Sequence, residues 1–126
     1  MTAQTRAWLT LAALSGLVAV AAGAFGAHGV QDLKAKDWLR TGSEYQLAHA
    51  VAALACFPLW AAGVRGARVS AWLFLIGAAL FSGSLYLMAL TPDRWMVLIT
   101  PLGGLVLLAG WATLAWAAFM ARPTAG

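Results

Sequence analysis

The side chains best suited to chemistry in this apolar chain are two histidines, one acid and a small set of hydroxyls and amides. They are His28, Glu44, Tyr45, Gln46, His49, Ser82, Ser84, Tyr86 and Thr100. His28, Glu44 and His49 have the ligand types of a zinc or iron site. Their spacing does not suit one, because Glu44 and His49 would diverge by about 140° around a helix. A nucleophilic Cys–His pair fails on distance, since Cys56 would sit about 10 Å along the helix from His49. Phosphate-loop, haem-attachment and serine-triad patterns are missing from the sequence. Neither a resident metal, nor another cofactor, nor catalysis is expected.

What these types could still do is hold a small ligand or a proton inside a membrane, where ionisable groups are usually functional. Each also has a simpler role. His49 follows Tyr45 by four residues and Gln46 by three, so it can bond along its own helix. Thr41-Gly-Ser-Glu44 reads as a capping box, which makes Glu44 a helix cap. His28 stands where it could meet the last carbonyls of a first helix.

The elements that must position these groups are membrane spans. Hydrophobic residues make up 63% of the 126 and charged ones 10%, against about a quarter charged in soluble domains. Crossing the hydrocarbon takes about 20 apolar residues. Four stretches qualify: 7–27, 45–63, 69–90 and 95–120. The expected fold is all-α, one polytopic domain over 1–126: a bundle of four transmembrane helices. Residues 29–43 form the longest polar segment and are expected to hold a short interfacial helix between the first and second spans. A basic start and Ala19-Val20-Ala21 fit a signal peptide. The apolar stretch runs on past that site, so a retained helix is the better reading.

Within the spans, Ser15, Ala19 and Gly23 recur at four-residue spacing, as do Ala12 and Gly16. This small-residue ridge suits close helix packing. Pro101 and Gly103-Gly104 are expected to loosen the start of the fourth span. Six tryptophans fall near span ends, Trp8, Trp60, Trp72 and Trp116 on one side and Trp38 and Trp95 on the other, as interfacial anchors would. Basic residues are scattered, four on each side, rather than gathered as a nucleic-acid binder requires. Acids flanking the basic residues of the long loop favour cytoplasmic N- and C-termini. The nine polar candidates fall in the half-membrane nearer the long loop, while the other half holds Thr10, Ser15, Ser70 and Thr113. A shared polar pocket in the first half is therefore expected.

Four motifs in order resemble the domain of unknown function family 423: Gly23-Ala-Phe-Gly-Ala-His-Gly29, Thr41-Gly-Ser-Glu-Tyr-Gln-Leu-Ala-His-Ala50, Phe81-Ser-Gly-Ser-Leu-Tyr-Leu87 and Thr100-Pro-Leu-Gly-Gly104. The resemblance implies a small four-helix protein of the bacterial inner membrane, with mitochondrial relatives in eukaryotes. It implies no activity. Three functions compete: a non-enzymatic accessory or structural partner of a membrane complex; a quinone, lipid or proton binder in the polar half; and an oligomeric transporter or channel. Partners expected are the lipid bilayer and either a membrane complex or further copies of the chain.

Overall fold

The computed structural model describes residues 1–124. It is all-helical, with α1 Ala3–His28, α2 Leu33–Ala61, α3 Ala67–Leu90 and α4 Ile99–Met120; one 3-10 turn, Trp95–Leu98, leads into α4.

Local chemistry sets each boundary. Thr2 caps α1 by accepting the Thr5 N–H at 3.1 Å. The helix closes where Gly29 N–H reaches the Phe25 carbonyl at 2.6 Å. Asp32 caps α2 by accepting the Ala35 N–H at 2.9 Å. The end of α2 is a Schellman turn: Val64 N–H bonds Leu59 O, Gly63 N–H bonds Trp60 O, and Gly63 takes φ +102°, a conformation that glycine adopts without strain. Pro101 lies in the first turn of α4. Its missing N–H would have had no helical partner there, so it marks the start of α4 and leaves the ladder intact.

Two expectations about α2 are corrected. The polar segment 29–43 holds no separate interfacial helix, because most of it is the first part of α2. Thr41 and Glu44 are not a capping box, because both lie inside the helix. Asp32 supplies an equally good cap further upstream, and helix-compatible residues follow it without interruption. The periodic face is there but small: Ala35, Leu39, Gly42, Gln46, His49, Ala50, Ala53 and Cys56 are the buried positions. Gly42 costs about 1 kcal/mol in a helix interior. Its bare backbone takes the ring of Tyr86, which a Cβ would meet at 2.6 Å.

The helices pack in series, α1 on α2, α2 on α3 and α3 on α4, with a lighter α1–α3 contact. The central α3 is the most enclosed, and α1 and α4 are the outer helices. Of the small ridge of α1, Ala12 and Ala19 are buried, Ser15, Gly16 and Gly23 are half-buried, and a Cβ on Gly23 would lie 2.6 Å from Ser43 Oγ. Gly26, outside the expected ridge, is buried as well. Three helical stretches are long and apolar enough to cross a membrane: 3–28, 67–90 and 95–120. In α2, Glu44, Gln46 and His49 interrupt the apolar run. One tryptophan anchor is also corrected. Trp8 is fully buried, with its indole N–H on Ala53 O at 2.7 Å and its ring edge-on to Phe57 and Trp60.

Candidate functional site

The long α2 moves the polar residues inward. Gln46 is close to the middle of α2, and its Nε2 donates to Ser15 Oγ at 3.2 Å, close to the middle of α1. Tyr86 Oη donates to Gln46 Oε1 at 2.6 Å. One line of hydrogen bonds therefore joins α3, α2 and α1 at mid-height. Tyr86 reaches that level from further along α3 because helical side chains lean towards their N-terminus. Two short bonds add to the seams: Ser82 Oγ donates to Gly42 O at 2.6 Å, and Ser43 Oγ to Ala19 O at 2.7 Å.

His49 is buried and has both ring nitrogens engaged. Nδ1 lies 2.6 Å from Tyr45 O, and Nε2 accepts the Trp111 indole N–H at 2.9 Å. A carbonyl cannot donate and an indole N–H cannot accept. The geometry thus requires the neutral tautomer with its proton on Nδ1. Its ring is surrounded by Phe74 at 5.5 Å, Trp111 at 5.8 Å and Tyr45 at 6.1 Å between centroids. The α3–α4 seam is tied by Ser84 and Thr100, whose hydroxyls are 2.6 Å apart.

The nine candidates therefore do not share one pocket. Gln46 and Tyr86 meet each other, Ser84 meets Thr100, and Ser82 bonds backbone. His49 bonds Trp111, with Tyr45 supplying a carbonyl. His28 is exposed at the end of α1 and makes no side-chain hydrogen bond among the described residues, so it is a helix end. Glu44 is exposed on the outer face of α2. No group of three metal-ligating side chains occurs among the described residues. Binding a metal through His49 Nε2 would require breaking the Trp111 bond.

Two partners escaped the sequence reading. Ser15 sits in the half read as holding few polar groups, and only the earlier start of α2 brings Gln46 level with it. Trp111 is the one tryptophan away from a predicted span end, and that displacement was the available signal. A groove of about 580 Å³ lies beside this cluster, lined by Tyr45, His49, Phe81, Pro101, Leu105 and Trp111 among others. At the long-loop end, Arg94 donates to Met88 O at 3.1 Å and Thr91 O at 2.8 Å, closing α3. Arg94 and Lys34 also lie 5.1 and 5.2 Å from the Trp38 ring, so α2's polar first turns are held against the α3–α4 turn.

With this geometry in hand, the family described as "Protein of unknown function (DUF423)" matches residues 22–104. A "UPF0382 membrane protein" of Haemophilus influenzae is 45% identical over 91% of this chain and 95% of its own length. The chain belongs to the DUF423 family. Family membership makes it a membrane protein of a family without an established function. The "UPF0382 inner membrane protein YgdD" of Escherichia coli K12 is 40% identical over 86% of both chains. A "UPF0382 membrane protein" of Staphylococcus epidermidis is 34% identical over 86% of this chain and 92% of its own. No solved structure matches. The family match takes in all nine candidate residues and leaves out Ser15 and Trp111.

Proposed function

We propose that the chain is a non-enzymatic, four-span protein of the bacterial inner membrane that serves as an accessory or structural component of a membrane complex. The observation that carries this reading is the state of His49. Its one lone pair is taken by the Trp111 N–H across the α2–α4 contact, and its one proton is spent on the Tyr45 carbonyl within α2, so neither is free for a ligand. Gln46, Ser82 and Ser84 are likewise spent on bonds to neighbouring helices, while Thr5 and Ser70 bond locally along their own helices. The outer helices α1 and α4 turn broad apolar faces outward, with Leu14, Leu17, Val20, Leu105, Leu108 and Phe119 exposed. Faces of this kind suit lipid and a helical partner.

Membrane insertion of α2 as the fourth span is supported by its length and by its packing between α1 and α3. The inner-membrane location is supported by the name of the Escherichia coli relative. Cytoplasmic N- and C-termini follow the charge pattern. Reporter fusions should then place both ends on the same, cytoplasmic side; ends on opposite sides would remove the four-span reading. Purification from native membranes in mild detergent should recover another membrane protein in stoichiometric amount. A preparation free of other proteins in every mild detergent would count against the accessory role.

One observation favours a second reading. The 580 Å³ groove beside His49 is walled by aromatic rings and apolar chains, which suits a quinone ring or a lipid chain. His49→Ala should then lower co-purifying quinone or lipid while Arg65→Lys leaves it unchanged. Equal content in both would leave the groove without a ligand role. A channel has less support, because seams fill the mid-height interior; liposomes carrying the protein should show no flux.

A further inference from the structure

We infer that the outer face of α2 is the contact surface for a second copy of this chain, through reciprocal Arg40–Glu44 pairs. The inference rests on the four-span reading above. The register between helices sets the depth of these residues. Leu39 lies against Gly26, and Ser43 against Gly23. Glu44 is therefore near the level of Ala22, about 9 Å in from the His28 end of α1 at 1.5 Å per residue. That level is inside the apolar stretch of α1, with Val20 and Phe25 exposed nearby. Yet Glu44 is exposed, and it has no hydrogen-bond or ion-pair partner among the described residues. A carboxylate on a lipid-facing surface at this depth is costly, and such groups are normally paired or turned inward. Glutamate is too short to reach the headgroups from there as lysine and arginine do.

The charges beside it alternate along one strip. Lys36, Asp37, Arg40 and Glu44 recur at three- and four-residue spacing, so they share a face. Arg40 spends one of its five donors on Asp37, at 3.2 Å. Free donors on Arg40 and free acceptors on Glu44 therefore sit one turn apart. A two-fold axis along the bilayer normal would bring Arg40 of each copy towards Glu44 of the other, about 6 Å apart in depth, within reach of an arginine side chain. Such an interface is self-complementary, as two-fold contacts must be. Deeper on the same face, Leu47, Val51 and Leu54 are exposed and continue it as an apolar seam. A groove of about 510 Å³ between α1 and α2, lined by Gly23, Gly26, Lys36, Asp37 and Arg40 among others, borders the charged end and leaves room for the partner's side chains.

The test uses the full chain in native membranes, carrying Cys56→Ala and a single Leu47→Cys. Thiol-specific bridging should produce a homodimer. Leu105→Cys on α4, in the same background, should stay monomeric. Arg40→Glu or Glu44→Arg alone should lower the bridged fraction roughly tenfold, the scale of a lost interhelical polar contact. Combining the two reversals rebuilds the pairs and should restore bridging to within about twofold. Three results would overturn the pairing: no homodimer from a Leu47→Cys that is shielded from a membrane-impermeant maleimide, bridging only to another protein, or a combined reversal no better than the single ones. Free labelling of Leu47→Cys by that reagent would instead show α2 outside the bilayer, which defeats the four-span reading and the pairing with it.

Discussion

Trp111 donates its indole N–H to His49 Nε2 at 2.9 Å, and that bond spans two helices that otherwise barely touch. It fixes the His49 tautomer, because the Tyr45 carbonyl on the other side accepts only from a protonated Nδ1. A histidine that would read as a ligand or proton carrier in isolation is here a bolt between α2 and α4.

Removing either side should therefore cost stability in a coupled way. Trp111→Phe keeps an aromatic ring and loses the donor, at about 1 kcal/mol. His49→Ala loses two bonds and leaves a cavity, at about 2–4 kcal/mol. A double-mutant cycle by reversible unfolding in mixed micelles should give a coupling of about 1 kcal/mol. Strict additivity would mean the bond does not matter.

The Tyr86–Gln46–Ser15 line predicts an asymmetry. Tyr86→Phe removes one donor and strands Gln46 Oε1, costing about 1 kcal/mol. Gln46→Ala strands Tyr86 Oη and Ser15 Oγ together and opens a gap, costing about 2–3 kcal/mol. Apparent melting temperatures in one detergent should rank parent, Tyr86→Phe, then Gln46→Ala. The reverse order would contradict the line.

Two glycines, Gly103 on α4 and Gly83 on α3, separate packing from propensity. A Cβ on Gly103 would run into Phe81, including its backbone, while one on Gly83 meets nothing within 4 Å. Gly103→Ala should destabilise by about 1–3 kcal/mol as overpacking does. Gly83→Ala should be neutral or stabilising by up to about 1 kcal/mol. Thermal denaturation of the two variants side by side is the check.

The start of α2 is testable by hydrogen exchange. Asp32→Ala should release the amides of 33–36 and cost about 1 kcal/mol. Thr41→Ala should leave the protection of 42–46 intact, because those amides are already bonded within the helix. Loss of protection only in the second variant would restore the later start.

How much of this was legible follows from where the signals lie. The apolar runs marked the helices, and the small residues Ser15–Ala19–Gly23 and Ala12–Gly16 at four-residue spacing marked a close-packing face of α1, which the structure sets against α2 through Gly16–Ala50 and Gly23–Ser43. The start of α2 was misread because its buried face is built from Ala35, Gly42 and one leucine. Large apolar residues such as Leu33 and Trp38 point elsewhere and hide the period. Fixing that start nine residues late, at Thr41 in place of Asp32, displaced every polar residue on α2 towards the membrane edge. Five of the nine candidate residues, Gln46, His49, Ser84, Tyr86 and Thr100, pair with another side chain across helices. They do not converge into one pocket, because partner choice depends on register. Ser15 and Trp111 enter only through that register.

The most direct measurement is the ¹⁵N spectrum of the His49 side chain in the full protein in lipid nanodiscs, assigned with a His28→Gln variant. The predicted result is a protonated Nδ1, an unprotonated Nε2 coupled to the Trp111 indole proton, and no change on adding zinc or a quinone. A proton on Nε2, or a shift of that nitrogen on adding either ligand, would show that His49 is a working site and not a seam.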